Sequence, residues 1–350
     1  MKLKYSGRIT FSKIAFQTFI KSVFIKRERM INETVEYFNS KLANKNKVSA
    51  IVSSGRAAIS LIVLRKRPEK VYIPEYICNA VQMAADKYSS IDVYKIDANY
   101  RFDLLEVVEY SSKNKNCCVI LPSFLSRKYD IKSAIKAIRT ANNKCIIILD
   151  ECQNLMDIST LPYLGENVYA VFSFNNKSTY GFLGGMIVQA SDSADLLSNV
   201  LLPVPSMKDE WHARYTFVYS YVKDMVTRNK FSVPLGVEVS QCKDIYSVLP
   251  KQPLKISIAA ASLISKYWDW YEKCLSENRD LINSLANENL LNIISGFDDC
   301  NMPYVPVLFD KELIGSIPLK SPYGCKSDSS NQREFCFVLH NSLILRRNDK

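Results

Sequence analysis

Histidine is nearly absent. The 350 residues hold only His212 and His340, too few for a histidine-rich metal site. No two cysteines have the C-x-x-C spacing of a zinc or redox motif, and ten cysteines in a chain of this length fall short of a disulfide scaffold. Several of them, Cys117, Cys118 and Cys145, lie inside apolar runs, where cysteine behaves as a small hydrophobe. The sequence therefore reads as that of a protein kept in a reducing, cytoplasmic compartment. No uninterrupted apolar stretch reaches signal-peptide or transmembrane form, because Lys13 and Lys21 break the one near the start. There is no internal repeat and no long low-complexity linker. What is present is 47% hydrophobic and 23% charged residues, the balance of a folded chain with a sizeable core. That excludes a disordered protein, a collagen-like repeat and a small disulfide-stapled module.

Acidic residues are also scarce at the start. Of the net charge of +11, residues 1–30 carry Lys2, Lys4, Arg8, Lys13, Lys21, Lys26, Arg27 and Arg29 against the single acid Glu28. Such a segment suits an anionic membrane surface, nucleic acid or a targeting peptide, or else a helix packed on the body with its basic face in water. Phe16, Phe19, Ile20, Val23 and Phe24 fall at helical spacing. No nucleic-acid fold motif or basic–aromatic stripe continues downstream, so no nucleic-acid partner is expected. A weak membrane-surface contact through residues 1–30 stays open.

From about residue 48 the pattern becomes regular. Apolar and β-branched runs occur at Val71–Ile73, Ile91–Ile96, Cys117–Leu121, Cys145–Leu149, Val168–Phe174 and Met186–Val188. Helical spacing separates several of them, over Arg56–Leu64, Asn79–Lys87 and Ile131–Thr140. Strands apolar on both faces and separated by helices predict an α/β domain with a mostly parallel sheet covered by helices. After about Pro250 the character changes to a long helical stretch, Ile256 to roughly Asn287, then strand-like pieces at Tyr304–Phe309 and Phe335–Leu345. The expected organisation is a basic helical segment over 1–47, a large domain over 48–250 and a smaller α+β domain over 251–350, with the first segment packing on the last.

Reactive groups in such a fold gather where strands end and helices begin. Three such places stand out. Ser53-Ser54-Gly55-Arg56-Ala57-Ala58 enters a helix, and can hold a phosphate on small hydroxyls and helix amides or merely cap the helix. Asp150, in Leu149-Asp150-Glu151-Cys152-Gln153, closes a buried strand and needs a cationic or hydrogen-bonding partner, such as a protonated ring nitrogen, or else caps a helix. Lys177 follows Ser173-Phe174-Asn175-Asn176 and precedes Gly184-Gly185, as a Schiff-base amine or as one surface lysine among many. Together, a phosphate cradle, a strand-end acid and a lysine are the parts that pyridoxal 5′-phosphate (PLP) requires.

On these residues the sequence resembles the DegT-type sugar aminotransferases, a branch of the fold-type I PLP enzymes, from about Val48 to Leu285. Ser53-Ser54-Gly55-Arg56-Ala57-Ala58 is similar to the family's phosphate turn, and Val71-Tyr72-Ile73-Pro74-Glu75-Tyr76-Ile77-Cys78 to its Val-x-Val-Pro-x-Tyr-Thr segment. Asp150 and Gln153 keep the spacing of its Asp-Ala-Ala-Gln, and Lys177 stands ahead of Gly184-Gly185 at the family's distance. Pro253-Leu254-Lys255-Ile256 and Arg279 echo the helix that returns to the small domain.

The resemblance implies a role for each position. Lys177 would take the cofactor's aldehyde and later move the proton between cofactor and substrate carbon. Asp150 would pair with the ring nitrogen and Gln153 lie near the ring hydroxyl. Ser54, Gly55 and Ser173 would hold the phosphate, with Arg56, in place of the family's threonine, directed at phosphate or at substrate. Cys78 stands where the ring-stacking aromatic is usual, so stacking is either lost or taken by Tyr76. Asn175 replaces a common histidine, the gap to the lysine is one residue shorter, and Ser123-Phe124-Leu125-Ser126 lacks the loop's usual glycine. The activity implied is amino transfer from glutamate to a nucleotide-linked keto-sugar in polysaccharide or glycoconjugate synthesis, by a homodimer and without metal. The alternative is a PLP-fold protein that no longer catalyses and serves a binding or regulatory role.

Overall fold

A computed structural model describes residues 2–6, 20, 24–42, 45–97, 101–123, 130–152, 155–174, 184–193, 202–204, 206–207, 210, 268, 272–273, 276–281, 283–284, 287–288, 292–293, 304–308, 319–320, 336–338 and 344–348. In chain order the strands are β1 (Lys2–Ser6), β2 (Asn46–Val52), β3 (Lys70–Pro74), β4 (Ser90–Tyr94), β5 (Cys117–Pro122), β6 (Ile146–Asp150), β7 (Val168–Ser173) and β8 (Gly185–Ala190). Then follow β9 (Asn292–Ile293), β10 (Tyr304–Leu308), β11 (Leu319–Lys320), β12 (Cys336–Val338) and β13 (Ile344–Asn348). The helices are α1 (Arg27–Lys41), α2 (Gly55–Lys66), α3 (Asn79–Ala85), α4 (Leu104–Lys113) and α5 (Ile131–Ala141).

Seven strands form the central sheet in the order β2-β8-β7-β6-β5-β3-β4. Strands β3 to β7 run parallel, while β8 is antiparallel to both β2 and β7. The sheet is therefore mostly parallel, as the apolar runs predict, with one reversed strand that their composition does not reveal. Every residue of β5, β6, β7 and β8 is buried except Ser173, which is half-buried. This two-sided burial is the reason those runs are continuous rather than alternating.

Helices cover both faces. Helices α2 and α3 pack with Ile146, Ile148, Tyr169 and Val171 in one apolar cluster. On the other face Met30 and Phe38 of α1, Val107 of α4 and Ala134 and Ile138 of α5 join Ile147, Leu149, Ala170 and Phe172. Helix α2 buries Ala57 through Val63 without a break, as a helix enclosed on all sides must. It ends where Arg67 turns left-handed at φ 49°, its amide bonded to Val63 O at 2.8 Å. Asp103 and Asp130 cap α4 and α5 by accepting the amides of Leu105 and Ser133.

At the sheet edge remote from the C-terminal strand ends, Cys117 and Cys145 are fully buried, with their sulfurs 3.6 Å apart. The bond shared with Cys145 holds the Cys117 thiol below its ordinary value, and the same bond with burial pushes Cys145 far up. Beyond the central sheet, β1 pairs antiparallel with β13, and β11-β12-β10-β9 form a four-stranded sheet. Phe38 of α1 stacks on Phe174 at 5.6 Å and meets Trp268 edge-on at 5.0 Å. Ile20 and Phe24 are helical and 43% and 82% exposed; Phe16, Phe19 and Val23 lie outside the described residues. Among the described residues no helix is long and apolar enough to cross a membrane.

Candidate functional site

The C-terminal ends of β2, β3, β5, β6 and β7 share one edge of the sheet, joined there by the start of β8. Register sets the neighbours. Gly185 lies opposite both Val52 of β2 and Ser173 of β7. Asp150 lies opposite Val171 on one side and Pro122 on the other. Alternation along β6 and β7 then decides the faces. Ile146 and Ile148 point to the cluster under α2, so Asp150 does too, and Ser173 follows Tyr169 and Val171 onto that side. The start of α2 is thus brought to the two strand-end polar residues that the sequence singles out.

Two glycines make the close approach possible. A Cβ on Gly185 would lie 2.4 Å from the Ser54 carbonyl carbon and oxygen and 2.6 Å from Gly55 N, all backbone. A Cβ on Gly55 would lie 2.8 Å from Ser173 Cβ and 2.9 Å from Cys152 Sγ. The turn Ser54–Gly55 is therefore pressed between β8 and the end of β7, in space that only glycine leaves open.

The helix start is a donor site. Ser54 Oγ accepts the Ala57 amide at 3.0 Å and Ser54 O accepts the Ala58 amide at 3.0 Å. The hydroxyl's own proton remains to donate, beside the positive end of the helix dipole. Arg56, half-buried, stands in the first turn. These groups with Ser173 fit a phosphate. Asp150 is 8% exposed, and its Oδ1 accepts the Cys152 amide at 3.1 Å, a carboxylate held in place and suited to a protonated ring nitrogen. Tyr76 and Cys78 follow β3 at the same edge, both half-buried. Cys78 precedes α3 and packs on the α2-side cluster. Gln153 and Lys177 lie outside the described residues.

Three residues at this edge have no part in the sequence-based site: Cys152, Glu151 and Ser123. Glu151 is 1% exposed and accepts the Ser123 hydroxyl at 2.6 Å. A second acid directly after Asp150 was the available signal, since two consecutive carboxylates at the end of a buried strand need donors nearby. Among the described residues no group of three or more His, Cys, Asp or Glu could hold a metal ion.

No family model and no curated protein matches the sequence. Solved structures do. A DegT DnrJ EryC1 StrS aminotransferase from Brucella abortus is 12% identical, with a TM-score of 0.59 over 95% of this chain and 92% of that one. NtdA from Bacillus subtilis, with its cofactor PMP bound, is 12% identical with a TM-score of 0.54 over 94% and 78%. The histidinol-phosphate aminotransferase from Clostridium acetobutylicum is 12% identical with a TM-score of 0.53 over 94% and 90%. At such identities the likeness is one of architecture. The chain has the fold of the fold-type I PLP-dependent transferases.

Proposed function

We propose that the protein is a PLP-dependent aminotransferase that takes an amino group from glutamate and gives it to a keto-sugar carried on a nucleotide. The observation that carries this reading is the convergence of the α2 start, Ser173 and Asp150 at one sheet edge, enforced by Gly55 and Gly185. Bound there, PLP supplies an electron sink that stabilises negative charge on the substrate carbon. Ser54, Gly55, Arg56 and Ser173 hold the phosphate. Asp150 would keep the ring nitrogen protonated, and Gln153 would serve the ring hydroxyl, as the resemblance implies. Tyr76 and Cys78 border the ring. Lys177, three residues beyond Phe174 in the sequence, would supply the amine for the cofactor's aldehyde and would move the proton at the substrate carbon.

The motifs over Ser53–Ala58 and Val71–Cys78, through their resemblance to the DegT-type sugar aminotransferases, support the sugar acceptor. The basic charge suits an anionic substrate. The reading includes a homodimer in a reducing cytoplasm, a division of the chain near residues 48 and 251, and a weak contact of the basic residues 1–30 with anionic membranes. Vesicle flotation tests that last contact. The half-reaction is tested by incubating the PLP-loaded protein with glutamate. Release of 2-oxoglutarate equal to the protein present is expected, and none from a Lys177→Ala variant. Absence of release from the wild type would leave a non-catalytic protein of the same fold.

A further inference from the structure

Two acids stand in succession at the end of β6, and the proposed function uses only the first. Glu151 is 1% exposed, more deeply buried than Asp150 at 8%. A carboxylate taken so far from water is unfavourable unless donors meet it. Ser123, 3% exposed at the exit of β5, supplies one: its hydroxyl donates to Glu151 Oε2 at 2.6 Å. The same serine's amide donates to the Asp150 carbonyl at 3.1 Å. On the other side, the Glu151 amide donates to Val171 O at 2.9 Å. The peptide between Asp150 and Glu151 is thus gripped from β5 by Ser123 and from β7 by Val171. The bond to Glu151 fixes the serine whose amide holds Asp150.

We propose that Ser123 and Glu151 form a positioning pair that fixes the end of β6 and so aims the Asp150 carboxylate. This rests on the reading of Asp150 as the partner of the cofactor's ring nitrogen. Glu151 is a positioning residue in this account. It acts through Ser123 and through the peptide it shares with Asp150. Cys152, whose amide reaches back to Asp150 Oδ1 at 3.1 Å, completes the grip from the following residue.

The test is titration of the full-length protein with PLP, reading both the dissociation constant and the absorption maximum of the bound cofactor, alongside a thermal melt of each apo-protein. Glu151→Ala is expected to weaken PLP binding about tenfold, the scale on which partners of a liganding side chain act, and to shift the absorption maximum. Glu151→Gln keeps an acceptor for the Ser123 hydroxyl and is expected to stay close to wild type in both readings. A pair that merely stabilised the fold would lower the melting temperature and leave the maximum of the bound cofactor where it was, and that result overturns the proposal. So does a Glu151→Gln variant as weak as Glu151→Ala. Asp150→Ala separates the two levels. If it leaves PLP binding unaltered, the reading of the site itself fails and the pair's role with it. If it weakens binding while Glu151→Ala does not, the site stands and only the positioning pair falls.

Discussion

Gly185 shows how much of the site rests on atoms that are missing. Its absent Cβ leaves room for the Ser54 carbonyl at 2.4 Å and the Gly55 nitrogen at 2.6 Å. Backbone cannot swing aside as a long side chain can, so Gly185→Ala must push the Ser54–Gly55 turn off β8. A destabilisation of about 1–3 kcal/mol is expected, the range for overpacking a tight interior, together with weaker PLP binding. Thermal melts with and without PLP measure both, and an Ala variant that melts and binds like wild type contradicts the packing described. At this scale the sequence was partly legible. Ser54, Asp150 and Ser173 could be picked out because each ends or begins an element. The reason for Gly185 could not, because the atoms it accommodates lie about 130 residues earlier. The bond between Ser123 and Glu151 is not legible for the same reason, since it spans 28 positions.

Elements obey more local rules, and they were read more fully. Helix α5 was expected over Ile131–Thr140 and spans Ile131–Ala141; its spacing and the Asp130 cap are both short-range signals. Removing that cap in Asp130→Ala should lower the melting temperature without changing PLP affinity, since α5 lies on the face away from α2. A loss of PLP binding equal to that of Gly185→Ala would show that the two faces are not independent. The direction of β8 was not legible, because an apolar run records burial and not polarity. Helix α4 was also missed. It shows in the structure as the support for two stacked tyrosines, Tyr72 and Tyr110, whose ring centroids are 3.7 Å apart.

That stack yields a pH prediction. Tyr110 donates to Asp92 Oδ2 at 2.8 Å and Lys70 Nζ lies 3.1 Å from the same oxygen. The tyrosine bond first, then the lysine, hold the Asp92 carboxyl below its ordinary value. A carboxyl more acidic in the folded than in the unfolded chain contributes fully above the ordinary aspartate value of about 4. That contribution is lost as pH falls through the lower folded value. The melting-temperature gap between wild type and Tyr110→Phe should therefore narrow as pH drops below about 4. A gap constant across that range would contradict the assignment.

At the scale of the whole molecule, seven strands in the order β2-β8-β7-β6-β5-β3-β4 bring residues from 54 to 185 to one edge, and the proposed chemistry depends on that convergence. A homodimer is part of the reading, and light scattering should return twice the mass of one chain. The most direct measurement is the near-visible absorption of the full-length protein titrated with PLP, beside Lys177→Ala. The account predicts a band that saturates at one cofactor per chain, is absent from the lysine variant and bleaches when glutamate is added. No band, or one that survives loss of Lys177 unchanged, would contradict it.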